Sequence, residues 1–480
     1  MTRAAPRAAA RTSGTVGHRF VPWLVAALAT AVYVTFAVTQ WRLLESPSWD
    51  LGIFTQLAKA YADLEAPIVT IKGEGFNLLG DHFHPLLVLL GPLYALHPSG
   101  LTLLVAQAVL IGISAVPVTA VARELLGGGR GTALGLAYAL GWGLQGAVAA
   151  QFHEIAFAVP LLAAALAAYL RGRWWACAAW VAPLVFVKED LGLTVAALGV
   201  VLWWRAGQRR VGSALLAWGL VWVVLAIVVI LPALNPGGTW DYYGRLGGEE
   251  GRSVLQVLGG FFVPAEKYGT VLLLVLAAGI IGLRSPLVWL WVPTLAWRFL
   301  GNVEYYWGWD WHYSAILMPV AAAAFLDVVS GRTGQGHLGR PMVSVSHRWA
   351  TAGTAVAVAT TAVMTVTGPM ARLAEPATYA PSPRADGATA AIEAVAEDST
   401  VATDIYLMAY LVPRAQVYWI GNSGGPANPA PDYVVLDTRR RTWPGTDVSD
   451  TAELAESRHP GTDYELVLEA DGYQVATRVA

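Results

Sequence analysis

Long apolar runs alternate with short polar links along most of this chain. A membrane-spanning helix needs roughly 20 predominantly apolar residues, within a range of about 17–25. By that length rule the sequence predicts roughly eleven spans, at residues 21–41, 101–122, 131–150, 155–171, 174–187, 191–205, 212–233, 268–283, 286–300, 313–329 and 349–369. The predicted fold class is mainly α, a polytopic membrane helix bundle over residues 21–370 with a long first loop at 42–100.

The polar links are of two kinds, and their alternation gives the chain a direction. Every second link is rich in arginine and nearly free of acid, beginning with the tail at residues 1–20. Because cytoplasmic loops carry an excess of Lys and Arg, we expect this tail in the cytoplasm and the protein in the plasma membrane. The first apolar run is too long for a typical signal-peptide core, so we interpret it as an uncleaved span. The arginines on this side are Arg3, Arg7, Arg11, Arg19, Arg123, Arg130, Arg171, Arg173, Arg205, Arg209, Arg210, Arg284, Arg332, Arg340 and Arg348.

The two runs at 174–187 and 191–205 are short for separate spans. Fusing them into one helix would place the arginines before and after the pair on opposite sides, against the positive-inside rule. We therefore predict two short helices, with Lys188-Glu189-Asp190 at an outer turn. The outer links are then residues 42–100, 151–154, 188–190, 234–267 and 301–312.

From about residue 371 to residue 480 the chain becomes polar and predicts a small extracytoplasmic α/β domain. The stretch at 375–383 contains Pro and Ser and is interpreted as a linker. A helix is predicted at 387–397, and Asp471-Gly472 is a hairpin turn signal. Strand patterns occur at 400–403, 416–420, 433–437, 464–469 and 473–479.

Composition agrees with a membrane protein and removes several alternatives. The chain is 56% hydrophobic and 13% charged, against about 25% charged for a soluble domain. A net charge of −2 gives no basic surface for nucleic acid, so no nucleic-acid partner is expected. The single Cys177 excludes an internal disulfide and a cysteine-based metal cage.

The first outer link opens with a candidate catalytic carboxylate. Apolar positions from Leu51 to Tyr61 recur at helical spacing, which predicts an amphipathic helix lying on the bilayer surface. Asp50 falls at the N-cap or in the first turn of that helix. A carboxylate there either caps free N–H groups or acts as a general base at the mouth of the bundle.

The same link closes with Asp81, His82 and His84, within the motif Gly-Asp-His-Phe-His-Pro. These side chains could bind a phosphate or a divalent metal. A metal site needs three or four ligands in a defined geometry, which this spacing alone does not supply. Contact with lipid headgroups and hydrogen bonding within the loop are the structural alternatives.

Two very short outer turns are filled by ionisable residues. The first contains His153-Glu154 and the second Lys188-Glu189-Asp190. Charges at span ends are either ordinary interface polarity or face an aqueous cavity inside the protein. Lys188 could bind a phosphate oxygen, or it could form a salt bridge with a neighbouring carboxylate.

The last outer link combines aromatic and acidic residues within twelve positions, 301–312. An aromatic belt at the membrane interface is one interpretation. A sugar site is the other, because aromatic faces stack on sugar rings and carboxylates accept hydrogen bonds from hydroxyls. The candidates are Glu304, Tyr305, Trp309, Asp310 and His312. The preceding link contains Trp240, Asp241, Tyr242, Tyr243, Glu249 and Glu250.

These motifs resemble those of bacterial and archaeal multi-pass membrane proteins classed as domain of unknown function 2079. The resemblance runs in order from about residue 20 to residue 440 or beyond. It implies a multi-pass fold and carries no activity. The matching motifs are Trp-Asp-Leu-Gly-Ile-Phe-Thr-Gln at 49–56, Gly-Asp-His-Phe-His-Pro at 80–85, Phe-His-Glu at 152–154, Lys-Glu-Asp-Leu-Gly-Leu at 188–193 and Asp-Tyr-Val-Val-Leu-Asp at 432–437.

The layout is also similar to that of the GT-C superfamily of membrane glycosyltransferases, which take sugars from polyprenyl-phosphate carriers. Their long first outer loop begins with a catalytic acid, and Asp50 is its counterpart here. Many GT-C enzymes carry paired acids, whereas Asp50 stands alone. From the residues of the outer links we predict substrate-binding roles for Gln56, Asp81, His82, His84, His153, Glu154, Lys188, Glu189, Asp190, Glu304, Tyr305, Trp309, Asp310 and His312.

The leading hypothesis is therefore an inverting glycosyltransferase at the outer face of the membrane. Its partners would be membrane lipids, a polyprenyl-phosphate sugar and an envelope glycan or protein acceptor. No cofactor is certain, and a divalent metal at Asp81, His82 and His84 is an open alternative. Two other functions stay open: a transporter or lipid flippase, which would need ionisable residues inside the bundle, and a non-catalytic envelope assembly protein.

Overall fold

The computed structural model describes residues 15–242, 259–331, 346–422, 428–441 and 447–479. Several residues discussed above lie outside this part of the chain: Arg3, Arg7, Arg11, Tyr243, Glu249, Glu250, Arg332 and Arg340. The helices of the bundle are α1 (Thr15–Arg42), α2 (Trp49–Ala62), α3 (Leu90–Leu96), α4 (Gly100–Ile113), α5 (Ala115–Leu126), α6 (Gly128–Ala139), α7 (Trp142–Ala149), α8 (Ile155–Leu170), α9 (Trp174–Val181), α10 (Leu191–Trp204), α11 (Arg209–Leu225), α12 (Leu231–Leu234), α13 (Glu266–Ala277), α14 (Trp291–Leu300), α15 (Leu317–Ser330) and α16 (His347–Thr367).

Within the described residues, five helical stretches are long and apolar enough to cross a membrane. They are Arg19–Arg42, Gly100–Leu126, Arg209–Leu234, His312–Ser330 and His347–Thr367. Shorter apolar stretches of 10–17 residues are Pro85–Leu96, Ile155–Leu170, Trp174–Phe186 and Leu191–Trp204. The predicted multi-pass helical membrane fold is confirmed.

Several predicted spans are interrupted in the structure. Residues 131–150 form two helices, with α6 ending before Gly141 and α7 beginning after it. In the predicted span 268–283, helix α13 ends at Ala277. Gly279 then adopts a φ of 57°, a conformation that favours glycine. Residues 286–300 begin with the 3-10 turn Pro286–Leu290 before α14. The length rule counts apolar residues and does not register these backbone breaks.

The short pair of helices is present as predicted, with Lys188-Glu189-Asp190 between α9 and α10. Helix α10 then packs closely against α11 through glycines on both helices. A Cβ added to Gly199 would lie 2.7 Å from the carbonyl oxygen of Gly212, and one added to Gly219 would lie 2.2 Å from that of Gly192. Small residues let membrane helices approach at this distance, and the contact fixes the start of α10.

Helix α2 occupies the predicted range but not the predicted surface position. Its residues from Leu51 to Ala58 are all buried, so the helix is enclosed on every side. A Cβ on Gly52 would lie 2.5 Å from the Met408 sulfur, and the Lys59 ammonium donates to the Val412 carbonyl at 3.0 Å. The helix is therefore held between the bundle and the C-terminal domain.

The C-terminal domain contains a five-stranded mixed sheet, in the order β2-β1-β3-β5-β4. Strand β1 pairs in parallel with β2 and β3, whereas β5 is antiparallel to β3 and β4. The predicted strands are confirmed as β1 (Thr400–Thr403), β2 (Gln416–Trp419), β3 (Tyr433–Asp437), β4 (Tyr464–Ala470) and β5 (Tyr473–Arg478). Its helices are α17 (Ala385–Glu393), α18 (Met408–Leu411) and α19 (Thr451–Arg458).

Candidate functional site

A cavity of about 850 Å³ lies where the polar links of the bundle meet the C-terminal domain. We call it the junction cavity. The C-terminal domain contributes Ile405 and Trp419 to its wall. Most residues predicted from the sequence to form a site also line it: Asp50, Asp81, His82, His84, His153, Glu154, Lys188, Glu189, Asp190, Tyr305, Asp310 and His312. Links far apart in the sequence therefore converge on one space.

Three predicted site residues lie elsewhere. The buried Gln56 amide donates to Thr70 Oγ1 at 2.8 Å and to the Val417 carbonyl at 3.2 Å, so it joins α2 to β2. Glu304 is exposed to solvent and is not part of the cavity wall. Trp309 packs against the apolar helix core. None of these three side chains lines the junction cavity.

A buried ion pair joins two of the short links. The Lys188 ammonium donates to Glu154 Oε1 at 2.7 Å, and the exposed side-chain fractions are 15% and 3%. Burial alone would raise the pKa of Glu154, but Lys188 and His153 lower it well below its usual value. Burial also opposes the charge of Lys188, whereas Glu154 and the neighbouring carboxylates raise its pKa above the usual range. Both groups are therefore charged at neutral pH.

A second pair joins the first loop to the same turn. His82 Nδ1 lies 2.7 Å from Glu189 Oε1, and the Phe83 backbone N–H donates to Glu189 Oε2 at 3.0 Å. Burial and the charge of Lys188 lower the pKa of His82, yet Glu189 outweighs them and the net shift is upward. This pairing holds the loop against the start of α10.

The predicted metal ligands are not brought together as a ligand set. Asp81 Oδ1 accepts a hydrogen bond from the Lys72 ammonium at 3.1 Å, while His82 is paired with Glu189. Burial lowers the pKa of His84 to about 4, so its ring is neutral. No group of three or more His, Cys, Asp or Glu side chains that could hold a metal occurs among the residues described here.

Asp50 is freed from helix capping by its neighbour. The N-cap of α2 is Ser48, whose hydroxyl oxygen accepts a hydrogen bond from the Leu51 N–H at 3.1 Å. The half-exposed Asp50 carboxylate instead lies 3.4 Å from His153 Nε2. His153 Nδ1 faces the Gln151 carbonyl at 3.2 Å. Since a carbonyl only accepts, Nδ1 carries a proton, and the ring turns Nε2 towards Asp50.

Other polar atoms of the cavity wall have no hydrogen-bond partner among the described residues. The His153 ring stacks on that of His312 at 3.5 Å, and His312 Nδ1 is buried without a partner. The same holds for His84 Nδ1 and Asp190 Oδ1. Burial raises the pKa of Asp190 to about 6. Buried polar groups normally find partners, so these atoms indicate a space suited to a polar ligand.

Sequence reasoning missed Arg298, which shapes the aromatic link. Its fully buried guanidinium donates to the carbonyls of Tyr306 and Gly308, both at 2.7 Å, and to Ser314 Oγ at 3.1 Å. These bonds hold the segment that carries His312 against the cavity. A detectable signal existed, because an arginine inside a predicted span is costly and usually serves function.

Two further cavity residues carried no comparable motif. Lys72 lies 3.1 Å from Asp81 and its ammonium is 5.0 Å from the centre of the Trp49 ring. Trp419 ends the parallel strand β2. Ligands of α/β domains bind beyond the carboxyl ends of such strands, and that rule could have selected Trp419.

Comparison with known families places the chain. Residues 40–475 match the family described as "Predicted membrane protein (DUF2079)". That range contains the bundle helices from the end of α1 onward, the C-terminal sheet as far as Val475 in β5, and every cavity residue named above. The chain matches no curated protein. Because the match covers most of the chain, the protein belongs to this DUF2079 family of multi-pass membrane proteins.

Proposed function

We propose that this protein is a membrane glycosyltransferase that transfers a sugar from a polyprenyl-phosphate donor to an envelope acceptor. The observation that carries the proposal is the convergence of the half-exposed Asp50 carboxylate, cationic groups and apolar span residues on one cavity. Such a transfer needs a base for the acceptor hydroxyl and positive charge for the leaving phosphate. It also needs an apolar path for the lipid carrier.

Asp50 and His153 supply the base in this proposal. An acceptor hydroxyl between Asp50 Oδ2 and His153 Nε2 would donate its proton to this pair. Its oxygen then attacks the anomeric carbon from the face opposite the phosphate. The bond from that carbon to the phosphate oxygen breaks as the new glycosidic bond forms, which inverts the configuration.

Lys188 and His82 supply positive charge for the leaving phosphate. An ammonium has three N–H donors, and the described contacts give one from Lys188 to Glu154. Lys188 lines the same cavity as Asp50. Because both side chains are held by buried carboxylates, they are positioned before the reaction and need little reorganisation as charge develops.

Helix α11 offers the apolar path. Val223 and Ile227 line the cavity, whereas Val224 and Val228 on the same stretch are 59% and 65% exposed. A π-helical turn, Ala226–Ile230, interrupts the helix here. Such turns are frequent at functional sites. A lipid chain could therefore pass from the bilayer to the cavity along one helix.

The arginine-rich links support an outward-facing cavity. Arg171 contacts Glu124 and Arg130 contacts His347, so links predicted to be cytoplasmic meet one another. None of these four residues lines the junction cavity. With the arginine-rich side in the cytoplasm, the cavity and the C-terminal domain lie on the extracytoplasmic face.

The test is transfer of labelled sugar from a panel of polyprenyl-phosphate sugars in membranes that contain the full chain. Asp50→Asn is expected to lower the rate by about 10²–10⁴-fold, the usual contribution of a general base. Glu304→Gln is the matched control, because this acid lies on the same predicted side but outside the cavity wall.

Full activity of a correctly inserted Asp50→Asn variant would refute the role of Asp50. Substrate uptake into proteoliposomes without a covalent product would instead favour the transporter hypothesis.

A further inference from the structure

An aromatic pair bridges the two parts of the chain at the junction cavity. Trp49 is the first residue of α2, and Trp419 is the last residue of β2. Their ring centroids lie 5.1 Å apart with an interplanar angle of 44°. Both side chains line the cavity. Each part of the chain therefore contributes one aromatic face to a shared corner of the wall.

Both indole rings carry an unused donor. The Nε1 atoms of Trp49 and Trp419 are buried and have no hydrogen-bond partner among the described residues. An indole N–H only donates, and buried Trp side chains usually find an acceptor. A ligand that presents oxygen acceptors alongside an apolar face would satisfy both features of this corner.

The backbone next to Trp419 is shaped for its ring. A Cβ added to Gly421 would lie 2.4 Å from Trp419 Cζ2, so the indole ring lies directly against this glycine. On the other side, the Lys72 ammonium stands 5.0 Å from the centre of the Trp49 ring, a cation–π contact that fixes the ring. The position of both rings is therefore specified by their neighbours.

We propose that Trp49 and Trp419 form the acceptor subsite and that the acceptor is a carbohydrate. The C–H faces of a sugar ring would stack on the indole faces, and sugar oxygens would accept from the two N–H groups. Trp49 directly precedes Asp50 in the first turn of α2. A sugar held here presents its hydroxyl to the carboxylate of Asp50. The inference rests on the function proposed above and decides between its glycan and protein acceptors.

A protein acceptor fits this corner less well. Extended peptides are commonly bound by adding a strand to an open sheet edge, and β2 is the edge strand on this side. The Val417 carbonyl of β2 already accepts from Thr70 Oγ1 at 2.7 Å and from the Gln56 amide at 3.2 Å. The first loop therefore already occupies hydrogen-bonding capacity that a peptide would need.

The test measures binding of soluble probes to the purified full chain by saturation-transfer-difference NMR. The probes are maltotriose, cellotriose, chitotriose, mannotriose and a Ser/Thr-containing peptide. Trp49→Ala and Trp419→Ala are expected to weaken binding of the preferred trisaccharide by about tenfold, as expected for the loss of an aromatic stacking partner. Trp175→Ala is the matched control, because Trp175 is 71% exposed on α9.

Two milder variants keep the test valid if an alanine variant fails to fold. Trp419→Phe retains a stacking face and loses the N–H donor, so a loss of a few-fold is expected. Gly421→Ala displaces the indole ring without removing it and is expected to weaken binding similarly. Binding of the peptide but of no trisaccharide overturns the proposal, and so does wild-type trisaccharide affinity in both folded Trp419 variants.

The outcome is separable from that of the proposed function. Glu304→Gln is expected to bind the trisaccharide like the wild type, because this acid lies outside the cavity wall. If Trp419→Phe weakens binding but no donor supports transfer, the subsite stands and the glycosyltransferase proposal fails. If transfer occurs and the Trp419 variants leave the KM for the acceptor unchanged, the glycosyltransferase proposal stands and the subsite proposal fails.

Discussion

Glu154 and Lys188 form a buried ion pair, and each charge should be tolerated in the fold only when its partner is present. Unit charges 2.7 Å apart attract with on the order of 6 kcal/mol at an effective dielectric constant of about 20. Much of this offsets desolvation, yet removing one partner leaves an uncompensated buried charge and costs about 3–5 kcal/mol. We therefore expect Glu154→Gln and Lys188→Met each to destabilise strongly.

The double variant removes both charges. Its loss of unfolding free energy should be much smaller than the sum of the losses in the two single variants. A double-mutant cycle from denaturant unfolding in detergent measures this coupling, and about 2 kcal/mol or more is expected. The Arg171–Glu124 pair is the control, because its contact is 2.6 Å but its side chains are 25% and 53% exposed. A surface pair contributes below about 1 kcal/mol. Additive losses at Glu154 and Lys188, or equal coupling in the two pairs, would refute this reasoning.

Two further predictions concern helix packing and pH dependence. Gly219→Ala places a Cβ 2.2 Å from the Gly192 carbonyl oxygen. Thermal unfolding should show that the variant is destabilised by about 1–3 kcal/mol. Gly129→Ala is the control, because its Cβ meets no atom within 4 Å and should leave stability unchanged. Burial raises the pKa of Asp190 from 3.8 to about 6, so its contribution to stability is present below about pH 4 and is lost as pH rises through about 6. Unfolding of Asp190→Asn across that range should lack this loss, and parallel pH profiles for both proteins would contradict the assignment.

Local patterns predicted the strands and the short helices well. The strand patterns at 400–403 and 433–437 coincide with β1 and β3, because alternation and β-branched residues are properties of a few neighbouring positions. The break at 188–190 followed from arginine placement on either side. The interruption at Gly141 was missed because the length rule measures apolar content, whereas a helix break depends on backbone conformation.

The candidate site was predictable in residue type but only partly in geometry. Asp50 was identified from its place in the first link, yet its release from capping depends on Ser48 taking that role. Gln56 belongs to the same motif, but its side chain forms a hydrogen bond that joins α2 to β2. A motif places residues near one another in sequence but does not say which of them face the cavity.

The sequence by itself determined the membrane fold, the alternation of arginine-rich and acidic links, and the C-terminal sheet. Each depends on composition or on periodicity within a short window. Only the tertiary structure decided that the acidic links converge and that Trp419 stands 5.1 Å from Trp49. Such contacts join segments hundreds of residues apart, and burial, pairing and the shape of a cavity depend on neighbours that no local pattern encodes.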